Sequence, residues 1–421
     1  MVSTETGAKE LINKIERILL VALAVSFCTS LTATWICLTL LLIVALVAGD
    51  RRRRLHLIVS APLFWPLLVF CCCIVLAGFA HGGLREALQS VATTRGLLVY
   101  LIAYQAYRLN DCRNMLSVLF VCAALSGLFA VIQQLFNFHP FTYPYLQATG
   151  FLGDPMSFAG LMQLTSFTAL GVLARRWQLK GDPGLSSWPQ NNKLMAVIVL
   201  ANFLGLIFAS ERSAWLGMLV ALPIVFLYIS PKVFFRGTIV LAVASILAWS
   251  FVPVVKTRLA SLAHFDQDVS VKARLVIWSK AWQIFQEHPV LGVGPRNFPS
   301  IDMPEAIVPQ HSTGLNHAHS NYLQILATTG LVGFCAFFVL LAASLCAAVR
   351  QIRSSDAFAS GLGLGLLGAL LSLSVAGLFE YNFGSGQVKL IQWFLLALLN
   401  FQAQPGSRLI TPADEHTLNH N

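Results

Sequence analysis

The chain is expected to be an all-α polytopic membrane protein, with about twelve transmembrane helices and one large outer loop. Three observations predict this. Of 421 residues, 57% are hydrophobic and only 11% are charged, against roughly 25% charged in soluble domains. Apolar runs near the ~20 residues needed to cross a bilayer recur from Arg17 to the last thirty residues. The basic residues behind the net charge of +10 fall in short groups between those runs. That pattern reads as topology, so a membrane and no nucleic acid is the expected partner.

Taken in order, the spans are 17–31, 32–49, 57–80, 97–107, 115–136, 156–174, 194–210, 214–229, 237–255, 321–349, 358–379 and 387–403. The stretch 29–34 divides the first two only weakly, and 97–107 is short unless it extends back toward Ala92. An even count with the N-terminus inside puts 18 of the 28 basic residues on the inner side. They include the cluster from Arg51 to Arg54, the pairs Arg175–Arg176 and Arg350–Arg353, and Arg408. Ten lie outside, six of them in one loop at 256–320. Arg85, Arg95, Arg212 and Lys389 are then exceptions in or near short outer turns, and each needs a reason to be there. The organisation is nine helices in 1–255, the loop at 256–320, three helices in 321–403 and an inner tail at 404–421.

No cleavable signal peptide is expected, because residues 1–16 are polar and no small-residue cleavage site follows a short apolar core. The first span acts as its own signal. The nine cysteines fall in spans or on the inner side, so neither a disulfide framework nor a cysteine metal site is expected.

The outer loop is polar and proline-rich, and loops longer than about 15 residues are usually functional or disordered. It contains its own helix, at about 270–287. At about 100° per residue, Val271, Leu275, Trp278, Trp282 and Phe285 share one arc, widened by Ile277, Ala281 and Ile284. Lys272, Ser279, Lys280, Gln283, Gln286 and Glu287 fill the opposite arc. Such a helix lies in the membrane interface or caps the bundle. Arg274 is the only charge inside the apolar arc. Either it snorkels to headgroups, or it faces an anionic ligand where bidentate bonds to phosphate are strong.

After the helix, His288-Pro289-Val-Leu-Gly292-Val-Gly294-Pro295 lacks the Lys-Ser/Thr ending of a phosphate loop and reads as a closely packed turn. The outer loop ends in Asn316-His317-Ala-His319-Ser320-Asn321-Tyr322, running into the tenth span. A histidine at the mouth of a transmembrane helix is a functional candidate, and its ordinary pKa of about 6.5 suits proton abstraction near neutral pH. The alternative is an interfacial histidine bonded to a loop carbonyl. His311, His317 and His319 also raise a metal reading. Zinc sites want three or four ligands in defined geometry, and no cysteine or neighbouring carboxylate completes the set in sequence. No metal and no cofactor is therefore expected.

Other outer groups converge on the same side. Arg212 sits in the tight turn Ser210-Glu211-Arg212-Ser213, where pairing with Glu211 or interfacial anchoring competes with a ligand role. Arg95 follows Thr94, and Arg85 reads as an anchor. Residues 150–160 open the sixth span with a turn and small packing residues. Glu380, in the last outer turn, either orients a histidine or binds a sugar hydroxyl. A transporter would place ionisable groups near the midplane or show repeats, whereas the cleaner spans lack central charges.

Together, Ser210-Glu-Arg212-Ser-Ala, then Arg274-Leu-Val-Ile-Trp278 leading to Pro289-Val-Leu-Gly292-Val-Gly294-Pro295-Arg-Asn-Phe298, then His319-Ser-Asn-Tyr322-Leu-Gln324 with Gly330 beyond, resemble the O-antigen ligase and polymerase superfamily. The resemblance implies a GT-C-like helical bundle in the inner membrane of a Gram-negative bacterium, with a periplasmic loop and active site. It implies transfer of a glycan from undecaprenyl diphosphate to lipid A-core, completing lipopolysaccharide. Polymerase and protein O-oligosaccharyltransferase activities are the neighbouring alternatives. The family's diphosphate-binding arginines carry over to Arg212 and Arg274, with Arg95 a weaker third, and its general base to His319. Many members have Asn directly after that histidine. Here Ser320 precedes Asn321, and His317 is a second candidate base.

Overall fold

The computed structural model describes residues 2–48, 51–109, 112–138, 147–178, 192–251, 255–256, 269–299 and 316–399. His311, much of the outer loop (257–268 and 300–315) and the tail at 404–421 lie outside them. Among the described residues every regular element is helical. The helices are α1 (Val2–Thr29), α2 (Leu31–Val47), α3 (Arg51–Val59), α4 (Phe64–Thr93), α5 (Gly96–Leu109), α6 (Arg113–Leu135), α7 (Pro155–Gln178), α8 (Asn192–Phe208), α9 (Arg212–Ile229) and α10 (Pro231–Phe251). They continue as α11 (Val269–Glu287), α12 (Asn321–Ile352), α13 (Ala357–Ala376) and α14 (Gly386–Leu396).

Each expected span overlaps a helix, although 57–80 straddles the end of α3 and the start of α4, and of 387–403 only 387–396 lies in α14. Seven of them, α4, α6, α7, α9, α10, α12 and α13, are long and apolar enough to cross a membrane, and α2, α8 and the Gly96–Gln105 part of α5 are shorter apolar helices. The centre of the bundle is α7 against α13. Each has 83% of its most apolar stretch buried, whereas the equally apolar α10 has none. Lipid tails are as apolar as leucine, so helices associate in a membrane through close backbone approach at small residues. Gly171 of α7 faces Gly361 and Gly365 of α13 so closely that a side chain at either Gly171 or Gly365 would enter the other helix's backbone. At the expected inner end, Arg54 bonds Glu16 at 2.9 Å with both buried, and Arg113 approaches Asp356 at 3.8 Å. A buried pair of this kind satisfies two charges that would each be costly alone.

Two long helices are broken, α4 just beyond the end of its expected span at residue 80 and α12 inside its own. In α4 the helix stops at Gly82 and Gly83 (φ +65°). The second half folds back, so that Gly78 packs against Ser90. In α12 the break is Gly330 (φ +61°, ψ −165°), a conformation that L side chains rarely adopt. The chain after α11 fills this gap. Leu331 and Val332 donate backbone hydrogen bonds to the Pro289 and Val290 carbonyls at 2.8 and 3.2 Å, while Val293 and Gly294 donate to Ala327 and Thr328 at 3.1 and 2.9 Å. Polar backbone exposed by a helix break at membrane depth must find partners inside the protein, and here the turn over 289–294 supplies them. Gly292 allows the approach, because a Cβ there would strike the Thr328–Thr329 peptide. The tenth span, expected to be continuous, is therefore a short mouth helix joined to a long one.

Candidate active site

The outer loop helix α11 forms as its periodicity demands, but it is rotated relative to the expected arc. Ala273, Ile277, Ala281 and Ile284 are its buried face, while Leu275 and Trp282 remain 58% and 48% exposed. The buried face packs with Val293, Phe298, Ala318 and Ala327, so the helix caps the mouth of α12. This rotation puts Arg274 and Trp278 at the edge facing the histidine turn. The Leu275–Trp282 stripe is left outward.

Trp278 Nε1 donates to the Ala318 carbonyl at 3.0 Å, and the Ala318 N–H donates to Gln324 Oε1 at 2.7 Å. Both backbone groups of the buried residue between the two histidines are thus held. His319 adopts φ +43°, a conformation costing a non-glycine residue about 1–3 kcal/mol and found where surrounding structure over-determines it. Ser320 then caps α12, its hydroxyl accepting from Leu323 N at 3.4 Å. The Asn321 N–H reaches the Gly377 and Glu380 carbonyls at 2.8 and 3.2 Å, and Asn321 Oδ1 accepts from Phe383 N at 3.2 Å. These bonds stitch the mouth of α12 to the turn after α13.

That stitching brings Glu380 to the histidines. Glu380 Oε1 lies 3.2 Å from His319 Nδ1, and its Oε2 lies 3.8 Å from Arg274. Arg274 is also held by Ser270 Oγ at 2.7 Å, so its guanidinium is directed toward Glu380. Its Nε is buried with no hydrogen-bond partner among the described residues. Burial pushes the Glu380 carboxyl upward, but the His319 hydrogen bond and charge, the Arg274 charge and the Tyr381 N–H outweigh it and hold Glu380 below the ordinary carboxylate range. An ionised carboxylate can only accept a hydrogen bond, so Glu380 favours the His319 tautomer with the proton on Nδ1.

His317 packs on His319 with ring centroids 4.1 Å apart, and its Nδ1 is 3.2 Å from Asn316 Oδ1. Burial first, then the His319 charge, lowers its pKa against the opposing pull of Glu380. His317 and Glu380 border a polar chamber of about 700 Å³ whose wall also carries Asp154, Ser157, Gln324 and Asn382. The expectation that no carboxylate completes a metal set is corrected by the fold. Glu380 lies with His317 and His319 so that their ligand atoms fall within 4.8 Å of one another. The carboxylate is 61 positions away in sequence, which is why proximity along the chain missed it.

The other two expected arginines begin or precede a helix of their own. Arg212 opens α9 next to Glu211, whose carboxylate accepts from Gln147 at 2.9 Å. Arg95 lies in the turn between α4 and α5: its Nε donates to the Ala92 carbonyl at 2.7 Å and its guanidinium lies 5.1 Å from the Trp35 ring centre.

The O-antigen ligase family model matches residues 196–338, a stretch that holds Arg212, Arg274, His317 and His319 and ends before Glu380. No curated protein matches the chain.

Proposed function

We propose that this chain, a multi-pass membrane protein of the O-antigen ligase superfamily, transfers a glycan from undecaprenyl diphosphate to lipid A-core on the periplasmic side of the inner membrane. The observation that carries this reading is the Arg274–Glu380–His319 cluster beside a polar chamber at the mouth of a broken transmembrane helix. A lipid-linked donor keeps its tail in the bilayer and presents diphosphate and sugar at this level.

The reaction is a single displacement. The acceptor hydroxyl oxygen attacks the anomeric carbon, its proton goes to His319 Nε2, and the bond from that carbon to the diphosphate oxygen breaks with inversion. Glu380 orients the imidazole and stabilises the imidazolium once formed, a role that leaves the carboxylate itself ionised. Arg274 neutralises charge developing on the departing diphosphate, its unpartnered Nε being a donor to spare. Arg212 is the second cation of this reading. The transfer is metal-independent, because the Arg274 guanidinium beside Glu380 repels a divalent cation from the one carboxylate that a metal would need.

His319→Ala is expected to leave expression and membrane insertion intact and to lower transfer by roughly 10²–10⁴-fold, the usual worth of a general base. Arg274→Lys is expected to be impaired as well, because a point charge lacks the guanidinium fork. The assay gives purified protein a lipid-linked glycan with lipid A-core, a second lipid-linked repeat or a pilin-like protein, with and without chelator. Transfer to either of the latter acceptors in preference to lipid A-core overturns the ligase assignment, and full activity of His319→Ala overturns the base.

A further inference from the structure

Lys389 is one of the four basic residues that break the positive-inside pattern, and the reaction above gives it no task. It lies half-buried in the first turn of α14, on the wall of a second cavity of about 300 Å³. That cavity runs between α4, α5, α12, α13 and α14 and is mainly apolar, with Phe70, Ile325, Phe337, Leu340 and Trp393 in its lining. Among the described residues no acid and no hydrogen-bond acceptor pairs with the Lys389 ammonium. The charge acting on it is another cation, Arg95. The two are kept close because Gly96, next to Arg95, packs directly on the Trp393 indole of α14.

A lone ammonium beside an apolar cavity is costly, and a second cation near it adds repulsion. Ionisable groups in membrane proteins that carry this cost usually mark a ligand path. The ligand indicated is anionic where it meets Lys389 and apolar behind. The 300 Å³ cavity and the polar chamber share Pro295, Tyr381, Asn382 and Gly384, so a molecule with its tail in the first reaches His317 and Glu380 with its head. One cavity of this size admits one chain, which favours a single-chain isoprenoid over an acceptor with several acyl chains.

We propose that Lys389, backed by Arg95, holds the lipid-proximal phosphate of the polyprenyl diphosphate donor, with the first isoprenoid units in the apolar cavity and the glycan in the polar chamber. This rests on the transfer reading for the identity of the donor. It assigns Lys389 as a donor-positioning residue, with His319 left as the base.

The test uses full-length protein in nanodiscs: wild type, Lys389→Met, Lys389→Arg and His319→Ala. Binding of undecaprenyl diphosphate, farnesyl diphosphate and inorganic pyrophosphate is measured beside thermal stability and donor and acceptor KM. Lys389→Met is expected to bind both lipid diphosphates about tenfold or more weakly and to raise donor KM alone. It should melt no lower than wild type, since it removes an unpaired charge. Lys389→Arg retains binding, and His319→Ala binds like wild type while its transfer falls by roughly 10²–10⁴-fold. Unchanged binding by Lys389→Met overturns the phosphate role, and a fall in stability with donor and acceptor KM rising together overturns it in favour of a structural lysine. Pyrophosphate binding as tight as farnesyl diphosphate overturns the cavity's role. If wild type binds the lipid diphosphate through Lys389 yet glycosylates no lipid A-core, the transfer reading falls and the lysine assignment stands.

Discussion

The α7–α13 contact and the mouth of α12 solve opposite problems. Between α7 and α13 the chain presents small residues, and the two backbones touch at Gly171 and Gly365, with one buried polar link from Gln163 Nε2 to Ser372 Oγ at 2.7 Å. At the mouth of α12 a small apolar cluster under α11 is overlaid by directional bonds: Trp278 and Gln324 on Ala318, Asn321 on the 377–383 turn, and the 289–294 turn on the broken helix. The first region spreads its stabilisation over many weak contacts and places no chemistry. The second spends backbone strain and single hydrogen bonds to fix two histidines against a carboxylate. Stability and activity should therefore separate under mutation.

The largest effect is expected from paired glycine substitutions. Gly365→Leu drives a side chain into the Thr168 backbone, and overpacking of this kind costs about 1–3 kcal/mol or more. It should lower both folded yield and melting temperature. Gly330→Ala meets the Val290 carbonyl and a positive φ, but the bundle beneath is untouched. It should melt closer to wild type while losing most transfer activity, because the turn that seats α11 is displaced. Equal losses of melting temperature in the two variants would break the comparison.

Trp278→Phe should be intermediate. It keeps the aromatic body against Phe379 and removes only the bond to the Ala318 carbonyl, leaving a buried acceptor unmet at about 1–3 kcal/mol. The expected result is a kcat about tenfold lower, from loosened positioning of His319, with donor KM unchanged. Hydrogen exchange should rise at the His317–Ser320 turn. A kcat equal to wild type would show that Gln324 alone suffices to hold the turn.

These differences also explain what the sequence discloses. Helices are legible because a run of apolar residues has few other fates at bilayer length, and α4 to α13 lie where the runs predict. Whether a helix faces protein or lipid is not legible from apolarity, as α10 and α13 demonstrate; the glycines of α13 are the better signal. Arg274 and His319 stand out as polar residues in apolar settings, and the fold brings both to Glu380. The rotation of α11 is not legible, because Leu275 and Trp282 are as hydrophobic as Ile277 and Ile284 whether they meet lipid or protein. The partnership with Glu380 is invisible too, since it depends on Asn321 backbone bonds to a turn some sixty residues away.

The smallest effect expected is on pH. Glu380 has a lowered pKa in the fold, so its contribution to stability is complete above the ordinary carboxylate value of about 4.3 and is lost as pH falls through its folded pKa. His317 also has a lowered pKa. The unfolded chain therefore takes up the proton first, and stability falls as pH drops below about 6.5, until His317 protonates in the fold as well. Two steps should appear in a plot of melting temperature against pH, one beginning near 6.5 and one below 4.3. His317→Gln should remove the upper step and leave the lower. Glu380→Gln should melt below wild type at neutral pH, with the gap closing as wild type loses its carboxylate. A gap that stays constant down to pH 3 would mean that Glu380 acts through packing alone, and its place in the His319 relay would have to be given up.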